Sequence, residues 1–418
     1  MTIEARRTLR FVVLTLLLLL PIWAVGAGTS SAQEHDPNDP HPHPTTTAPP
    51  GPTTTTTAPP SPNNPGTRTS VIRYGPYAQQ AAVENPDGSH GHWHSGNQFA
   101  FNVEKPCTNC YITGMKANLV YPDGTTGGYS TGSQLHHMVL FNRQAGKTDA
   151  TCDVGFPFPL GALFGQRFFA SGDERTYVRF PAGYGYQVGA DANWTLIWDL
   201  AGMSRVPKTV YYQVTYEWVP APANLENVEP VWFDVAQCGF STFTAMPGPS
   251  THSWSWTVNR PGDIVALGGH GHDGTIDIDV VNDTTGRVIC ESVAGYGESP
   301  LYIDPEHGDE HISSMSTCLG TPVAKVTNGQ RVTINAHYDM AKQDDGQMGI
   351  VMAFVGPPLS SGGGCVRATN TEHTSAGRAA TFLFWTWAVG SGNYLGGPAD
   401  TTSLREGPTG TWTMVPAC

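Results

Sequence analysis

Alternating apolar and polar residues recur along this chain in short runs that are typical of β-strands. Clear examples are residues 210–219, 275–281, 332–338 and, with more β-branched side chains, 349–355. Alternation with a period of two turns one face of a strand toward a core, and β-branched residues favour the same extended conformation. Because the 3.6-residue period of an amphipathic helix is nearly absent, the pattern predicts an all-β fold.

Turn-forming residues divide the chain into domains. The 418 residues include 48 glycines and 34 prolines, which separate the strand-like runs and favour β-sandwiches over a mixed α/β fold. We predict two tandem antiparallel β-sandwich domains, residues 70–222 and 223–358, that meet near the Pro-Ala-Pro-Ala segment 220–223. A serine- and glycine-rich stretch at 360–364 then introduces a C-terminal extension, residues 359–418.

The first 32 residues have the features of a secretory signal peptide. Three early arginines precede an apolar run at residues 11–25, and the small residues 30–32 fit a signal-peptidase site. This run is shorter than the ~20 residues that a membrane-spanning helix needs, and no later segment reaches that length. We therefore predict a secreted protein without a membrane span in the mature chain. An uncleaved N-terminal anchor is the alternative.

Residues 33–69 consist mainly of proline, threonine, asparagine and histidine, with threonine runs at 45–47 and 53–57. A segment with so few large apolar side chains cannot contribute to a packed core. It predicts a disordered linker, extended by its prolines, whose histidines are incidental.

Eight cysteines in an exported chain predict four disulfides. Proximity in the sequence favours Cys290 with Cys318 and Cys365 with Cys418. The Cys107-Thr-Asn-Cys110 motif is interpreted as a structural disulfide because the chain has no second CxxC motif for a zinc site. The remaining pairing stays open. The net charge of −13 argues against nucleic acid and anionic membranes as partners.

His270 and His272, separated by one glycine, are the sharpest candidates for metal ligands. Residues i and i+2 of a strand share a face, so both imidazoles can bind one ion. Met348 adds a thioether, which favours Cu(I), whereas imidazole binds both oxidation states of copper. Met340 and Met352 compete for this role, and a methionine at the start of an apolar strand is often only part of the core.

His136 and His137 form a second candidate pair, in the segment 135–138. Adjacent residues point to opposite faces of a regular strand, so both can reach one ion only where the backbone bends, as at a β-bulge. Taken separately, each histidine pair could bind a metal or could consist of histidines without a metal. Together, four imidazoles and a thioether match the needs of copper that cycles between its two oxidation states.

In this order, the motifs resemble those of the copper type II, ascorbate-dependent monooxygenases, the family of the peptidylglycine α-hydroxylating and dopamine β-hydroxylating enzymes. The resemblance lies in residues 136–141, 270–272, Met348 and the segment 180–189. It extends from roughly residue 95 to 357 and leaves out the linker and the C-terminal extension.

The resemblance implies two jelly-roll-like domains, each with one copper ion, that face each other across a solvent-filled cleft. It implies that copper at His136 and His137 passes an electron. It also implies that copper at His270, His272 and Met348 binds O₂ and abstracts hydrogen from a substrate C–H bond, so that these three are the catalytic residues.

One ligand that the family uses is missing from this sequence. The electron-transfer copper of the family has a third histidine on a strand that corresponds here to residues 194–200. Asp199 lies closest to that position, and no histidine occurs between His137 and His252. Other histidines of the same domain offer replacements in alternating positions: His90, His92 and His94.

We predict a secreted, copper-dependent monooxygenase-like protein with one or two copper ions. It would hydroxylate a C–H bond of a small-molecule or peptide substrate with O₂ and an external reductant such as ascorbate. One alternative is a non-catalytic copper-binding or storage protein on the same scaffold, which the missing histidine favours. Another is an adhesion or carbohydrate-binding sandwich with incidental histidines.

The remaining histidines of the second domain have simpler interpretations. His307 and His311 lie in an acidic loop and are predicted to be solvated, whereas His337 lies in a strand and is predicted to face the core or to be hydrogen-bonded. A zinc site that combines His270 and His272 with Asp273 or Asp277 would leave the histidine pair at 136–137 and Met348 unexplained.

Overall fold

The computed structural model describes residues 64, 66–84, 90–152, 165–239, 241–359, 365–406 and 411–416. The predicted signal peptide and nearly all of the predicted linker lie outside these ranges. No helix within them is both long and apolar enough to cross a membrane.

The first domain consists of β-strands that pair antiparallel, except for the parallel pair of β10 and β13. In chain order they are β1 (Arg68–Gln79), β2 (Val83–Glu84), β3 (His90–Gly91), β4 (Trp93–His94), β5 (Gln98–Val103), β6 (Cys110–Val120), β7 (Ser133–Asn142), β8 (Gln166–Ser171), β9 (Val178–Arg179), β10 (Tyr184–Val188), β11 (Trp194–Gly202), β12 (Lys208–Pro220) and β13 (Glu226–Asn227). One sheet has the order β1-β12-β6-β10-β13, with β9 on β6, and the other has the order β4-β11-β7-β8, with β5 on β11. Since β13 pairs with β10, the first domain extends a few residues beyond position 222.

The second domain follows directly. Its strands are β14 (Glu229–Asp234), β15 (Phe243–Ala245), β16 (Gly248–Thr257), β17 (Gly262–Gly271), β18 (Thr275–Asn282), β19 (Arg287–Tyr296), β20 (Ile312–Met315), β21 (Thr317–Val326), β22 (Arg331–Met340), β23 (Asp344–Gln347) and β24 (Gly349–Gly356). They form the sheets β14-β24-β17-β21 and β16-β22-β18-β19-β20 and the short pair β15-β23. The prediction of an all-β protein is confirmed.

The C-terminal extension has its own small sheets. Its elements are β25 (Val366–Thr369), α1 (Asn370–Ser375), β26 (Ala379–Phe382), β27 (Trp385–Ala388), β28 (Tyr394–Gly396), β29 (Thr401–Glu406) and β30 (Trp412–Val415). The strands form two sheets, β25-β29-β30 and β26-β27-β28. The Thr369 hydroxyl accepts a hydrogen bond from the Glu372 backbone N–H, which begins the short helix α1 with a capping box.

Strand β24 joins the cores of the two large domains because both of its faces are buried. One face packs into the core of the first domain with the side chains of Ile350, Met352 and Phe354. The other face packs into the core of the second domain with Val351, Ala353 and Val355. This explains why residues 349–355 are apolar without alternation, since no face of the strand meets solvent.

Disulfides support this arrangement. Within the described residues they pair Cys107 with Cys110, Cys152 with Cys238, and Cys290 with Cys318. The first and third confirm the sequence-based pairings. The second connects the two large domains, a link that the sequence left open. Cys365 is also disulfide-bonded, and its predicted partner, Cys418, lies outside the described residues.

The segment before Cys152 also fastens the two domains together. The Asp149 carboxylate accepts a hydrogen bond from Arg167 Nε at 2.5 Å, and the Arg167 guanidinium lies over the Trp232 ring of the second domain. Ala150 belongs to the core of the second domain. A buried ion pair, a cation–π contact and a shared core therefore hold the interface in one arrangement.

Candidate metal centre

A bulge in β7 brings His136 and His137 to one side of the strand. Asp199 of β11 pairs with His137 of β7, and Ala201 pairs with Gln134. Between these two pairs β11 advances by two residues and β7 by three, so β7 contains one extra residue. An extra residue of this kind bends a strand locally. The predicted backbone bend is confirmed, and the centroids of the two imidazole rings lie 5.1 Å apart.

His270 lies at the end of β17, on the face that packs against the first domain, and His272 directly follows the strand. His270 pairs in register with Ile350, one of the residues of β24 that enter the core of the first domain. Directly opposed residues of an antiparallel pair lie on the same face of the sheet. The rings of His270 and His272 lie 5.3 Å apart, centroid to centroid.

The two histidine pairs meet at the interface between the domains. The centroids of the His136 and His272 rings lie 4.5 Å apart. One nitrogen each of His136, His137 and His272 lies within 4.8 Å of the other two. This differs from the expected solvent-filled cleft between two separate sites. Among the described residues, no cleft separates the two histidine pairs, because the β17–β24 face packs directly on the first domain.

Each of the four histidines is held at one ring nitrogen by a neighbouring group. His136 Nδ1 lies 3.1 Å from Asp199 Oδ2, His137 Nε2 lies 3.0 Å from Asn97 Oδ1, and His270 Nδ1 lies 3.1 Å from Glu174 Oε2. His272 is hydrogen-bonded to the backbone of Gly346. Partners of this type fix the orientation of the ring and decide which nitrogen remains for a metal.

Three of the remaining ring nitrogens are buried and have no hydrogen-bond partner among the described residues: His137 Nδ1, His270 Nε2 and His272 Nε2. A buried polar atom without a partner costs about 1–3 kcal/mol, and three in one cluster call for a shared ligand. A metal ion bound by imidazole nitrogens fits this arrangement, since His137 and His272, together with His136, each offer one nitrogen within 4.8 Å of the other two.

Burial keeps the rings of His137 and His272 in the neutral form that binds metals. Burial and, to a smaller extent, the neighbouring His136 lower the pKa of His137 to about 3. The pKa of His272 also falls well below its ordinary value because the ring is buried beside His136 and His270. For Asp199, burial raises the pKa, but the hydrogen bond with His136 and the interactions with the nearby histidines His136, His137 and His94 together outweigh burial, and the pKa falls below its usual range. The carboxylate is therefore charged.

Met348 immediately precedes β24. Because Gly271 pairs with Gly349, continuing the ladder by one residue places Met348 opposite His272. The side chain of Met348 is buried in the same core cluster as Met352. Of its competitors, Met340 lies against Gly274 at the cavity described below, and Met352 packs in the core of the first domain. The role of Met348 as a ligand stays a prediction.

A cavity of about 680 Å³ adjoins the histidine cluster. His136, His270 and His272 form one part of its wall, and other side chains of both domains complete it, including His92, His94, Tyr129, Tyr296, Met340 and Lys342. Its rim carries several carboxylates, among them Asp273, Asp304, Glu306, Asp309 and Glu310. The chain thus places a ligand-sized space directly beside the candidate ligands.

The prediction that His311 is solvated is wrong. Its ring stacks on Tyr129 of the first domain, with centroids 3.6 Å apart and planes 4° apart, and its Nδ1 lies 2.5 Å from Asp273 Oδ2. His311 therefore packs at the wall of the cavity, although residues 305–308 of the loop are exposed. His307, on the same loop, is exposed as predicted and is paired with Asp304. His337 is hydrogen-bonded to Thr251 and Asp279, as predicted.

Glu174 and Asn97 hold candidate ligands in place, yet the sequence did not indicate them. Asn97 precedes β5 and Glu174 follows β8, and neither belongs to a recognisable motif. Each forms a hydrogen bond with a histidine that is distant in the sequence. Gly172 is a third residue of this type. A Cβ atom at Gly172 would lie 2.5 Å from His270 Cε1 and 2.7 Å from Glu174 Oε2. Only glycine lets the first domain approach His270 so closely.

We expect Gly172→Ala to lower the affinity of the purified protein for copper by roughly tenfold, because the added methyl group displaces His270 from Glu174. Titration against a chelator of known affinity measures this change. Gly239→Ala is the matched control, since a Cβ atom there meets nothing within 4 Å. Equal affinities of the two variants would show that the close packing at Gly172 does not position the ligand.

Comparison with known proteins shows which family this chain belongs to. The probable copper-dependent oxygenase M1 of a Phoma species is 31% identical over 289 residues, which cover 63% of this chain and 69% of that protein. The probable copper-dependent oxygenase clz3 of Cochliobolus lunatus is 30% identical over 263 residues, covering 58% of this chain and 78% of that protein. The chain belongs to this family of probable copper-dependent oxygenases.

A domain model described as "Stress up-regulated Nod 19" matches residues 194–357 of this family member. The match includes β11, His270, His272 and Met348 but begins after His136 and His137. Among solved structures, one of PNGF-II is similar over 70% of this chain and 66% of that chain, with 9% identity and a TM-score of 0.32, too low to support an argument. The narrower kinship with peptidylglycine α-hydroxylating and dopamine β-hydroxylating enzymes stays a prediction.

Proposed function

We propose that this chain is a secreted copper-dependent oxygenase that hydroxylates a C–H bond of a small molecule with O₂ and an external reductant such as ascorbate. One observation carries the proposal: four histidines from two domains converge, and three of them present buried ring nitrogens without a hydrogen-bond partner among the described residues. The names of the two relatives, both probable copper-dependent oxygenases, support copper as the metal.

The donor set suits copper in particular. Imidazole nitrogens bind Cu(II) and Cu(I), and a thioether at Met348 would stabilise Cu(I). When bound, copper would supply one-electron redox chemistry and a binding position for O₂. The protein's own groups hold the site. Glu174, Asp199 and Asn97 orient the imidazoles, and the packed interface keeps bulk water from the buried nitrogens.

The cavity provides the place for the substrate. Its volume of about 680 Å³ suits a small organic molecule, and its wall includes His136 and His272. A molecule bound there lies beside the proposed copper, and residues of both domains contact it. Positioning of this kind is the main contribution a protein makes when the metal carries the redox chemistry.

Non-catalytic copper binding or storage is the second candidate function. The missing third histidine on β11, where Asp199 stands, favours it. The adjoining cavity favours catalysis, since storage of a metal requires no space for an organic ligand. We therefore place the oxygenase first.

Copper content and oxygen consumption test the proposal together. Purified protein is reconstituted with copper, freed of excess metal and analysed for bound copper. O₂ consumption is then measured for the protein with ascorbate, and ascorbate without protein is the blank. Bound copper with consumption above the blank supports the oxygenase. Bound copper without it supports storage, and no bound copper overturns both functions.

We expect Met348→Ile to lower the affinity for Cu(I) by about tenfold or more and to abolish ascorbate-dependent O₂ consumption, because the thioether that favours Cu(I) is removed. The substitution nearly conserves side-chain volume and should cost less than about 1.5 kcal/mol of stability. Met352→Ile is the matched control, since Met352 is buried on the same face of β24. If the two variants behave alike, Met348 is not a ligand.

A further inference from the structure

The tip of the β26–β27 hairpin, in the C-terminal extension, carries the most exposed large apolar side chains of the described residues. Phe382, Leu383 and Phe384 are 71%, 74% and 76% exposed, and the adjacent Trp385 is 52% exposed. Four consecutive residues of this type forgo the free energy that their burial would contribute. A contiguous exposed apolar patch marks a surface that contacts a further apolar partner.

The turn at this tip is not built from the residues that its backbone favours. Phe382 pairs with Trp385, so Leu383 and Phe384 form a two-residue turn. Leu383 has a φ of 56°, in the left-handed region where asparagine and glycine are favoured and leucine is strained. A polar Asn-Gly turn would suit the same backbone better. The apolar tip therefore costs stability, which points to a role outside the fold.

Aromatic residues continue the patch along one face of the small sheet β26-β27-β28. Trp387 pairs in register with Tyr394, and this pair lies on the same face as Phe382 and Trp385. The opposite face packs on the core of the extension with three buried side chains: Ala379, Ala388 and Leu395. The sheet thus has a completed core on one side and an aromatic face on the other.

Charge limits the kind of partner that this surface can bind. Residues 379–399 contain no charged side chain, and the three arginines and three carboxylates elsewhere in residues 365–418 cancel. The net charge of −13 therefore comes from the rest of the chain. A charged partner would find no complementary charge on the hairpin tip or the aromatic face, whereas a neutral apolar phase needs none.

The arrangement of the rings favours lipid over a neutral polysaccharide. The Tyr394 ring is tilted by 55° from the rings of both Trp385 and Trp387, at centroid distances of 5.6 and 6.0 Å. A stiff sugar chain cannot stack on rings that share no plane, whereas fluid acyl chains can surround each of them. The wholly apolar side chains form the tip, and tryptophan and tyrosine, each with one polar group, lie behind it. Tryptophan and tyrosine take this position at membrane–water interfaces.

We propose that the hairpin tip and the aromatic face dock this protein on the surface of a membrane of neutral lipids, such as phosphatidylcholine. Phe382, Leu383 and Phe384 enter the apolar layer, and Trp385 and Tyr394 lie at the level of the head groups. Docking of this type is peripheral and reversible. It goes beyond the proposed function and does not depend on copper.

Flotation with phosphatidylcholine vesicles tests the docking. The predicted mature chain, residues 33–418, is used so that the apolar run at residues 11–25 cannot bind the vesicles. Leu383→Asn and Phe384→Ser should each lower the partition coefficient between vesicles and water by about tenfold, because each removes a large side chain from the apolar layer. Both residues are exposed, and asparagine suits the backbone at Leu383, so both variants should fold.

Leu319→Asn is the matched control. Leu319 is 53% exposed on β21 of the second domain, so this variant should bind vesicles as the wild type does. A second measurement locates the contact. Brominated phosphatidylcholine should quench the tryptophan fluorescence of the wild type, and Trp385→Phe should lose most of this quenching while it still binds.

The docking is overturned if the wild type does not float with the vesicles, or if both tip variants bind them as well as Leu319→Asn does. It is also overturned if the tip variants abolish binding to insoluble cellulose, or self-association in sedimentation, and the wild type ignores vesicles. The partner would then be a polysaccharide or a second copy of the chain. Vesicle binding is measured without copper, so its failure and the failure of the proposed function are distinguishable.

Discussion

The His272→Ala variant should lose ascorbate-dependent O₂ consumption and bind copper at the interdomain position at least about 100-fold more weakly than the wild type. Loss of an outer partner of a metal ligand already costs roughly 10- to 100-fold in affinity, and loss of the ligand itself costs more. Nε2 of His272 is buried without a hydrogen-bond partner among the described residues, and the His272 ring lies 4.5 Å from the His136 ring across the interface. Copper titration and oxygen electrode measurements give both quantities.

The control for His272→Ala is His252→Ala. His252 belongs to the same domain, but it lies on β16, where its ring contacts Phe243 instead of the cavity. This variant should bind copper and consume O₂ as the wild type does. If the His272→Ala protein keeps the copper affinity of the wild type, the histidine cluster between the domains is not the metal centre.

The Glu174→Gln variant should bind copper about 10- to 100-fold more weakly and consume O₂ correspondingly more slowly. The Glu174 carboxylate accepts a hydrogen bond from His270 Nδ1 at 3.1 Å and another from the Gly172 backbone N–H at 2.7 Å. Glutamine has nearly the same shape but no charge, so it loses the charge-assisted bond that fixes the orientation of the His270 ring. Because Glu174 comes from the first domain and His270 from the second, the variant also tests the interface.

Glu306→Gln controls for the loss of one negative charge near the cavity. Glu306 lies on the rim of the same cavity and forms only an exposed ion pair with Arg205. Exposed ion pairs contribute about 0–1 kcal/mol, so this variant should match the wild type. Equal copper affinities of Glu174→Gln and Glu306→Gln would show that Glu174 is only a structural residue.

Much of the fold could be predicted because its signals are local. Alternation along runs such as 210–219 and 332–338 identified strands that the structure confirms. The CxxC motif and the proximity of Cys290 to Cys318 indicated two disulfides correctly. The bulge at His136 and His137 was also predictable, since two adjacent residues of a regular strand cannot share a face.

The interface between the domains could not be predicted in the same way. The sequence shows that 349–355 is apolar, but not that one of its faces enters the core of another domain. The Cys152–Cys238 disulfide could not be predicted either, since the spacing of cysteines in the sequence does not determine which distant ones pair. The loop of His311 seemed solvated because it is acidic, yet it packs on Tyr129.

The sequence by itself determined the chemistry of the candidate site: imidazoles in pairs, a thioether at a strand start, and an aspartate where a histidine was expected. These properties depend on residue type and on a period of two along a strand. Only the tertiary structure decided that His136 and His272 belong to one cluster, that Glu174 and Asn97 orient it, and that a cavity adjoins it. The physical reason is that contacts between sheets depend on how whole faces pack, which no short segment specifies.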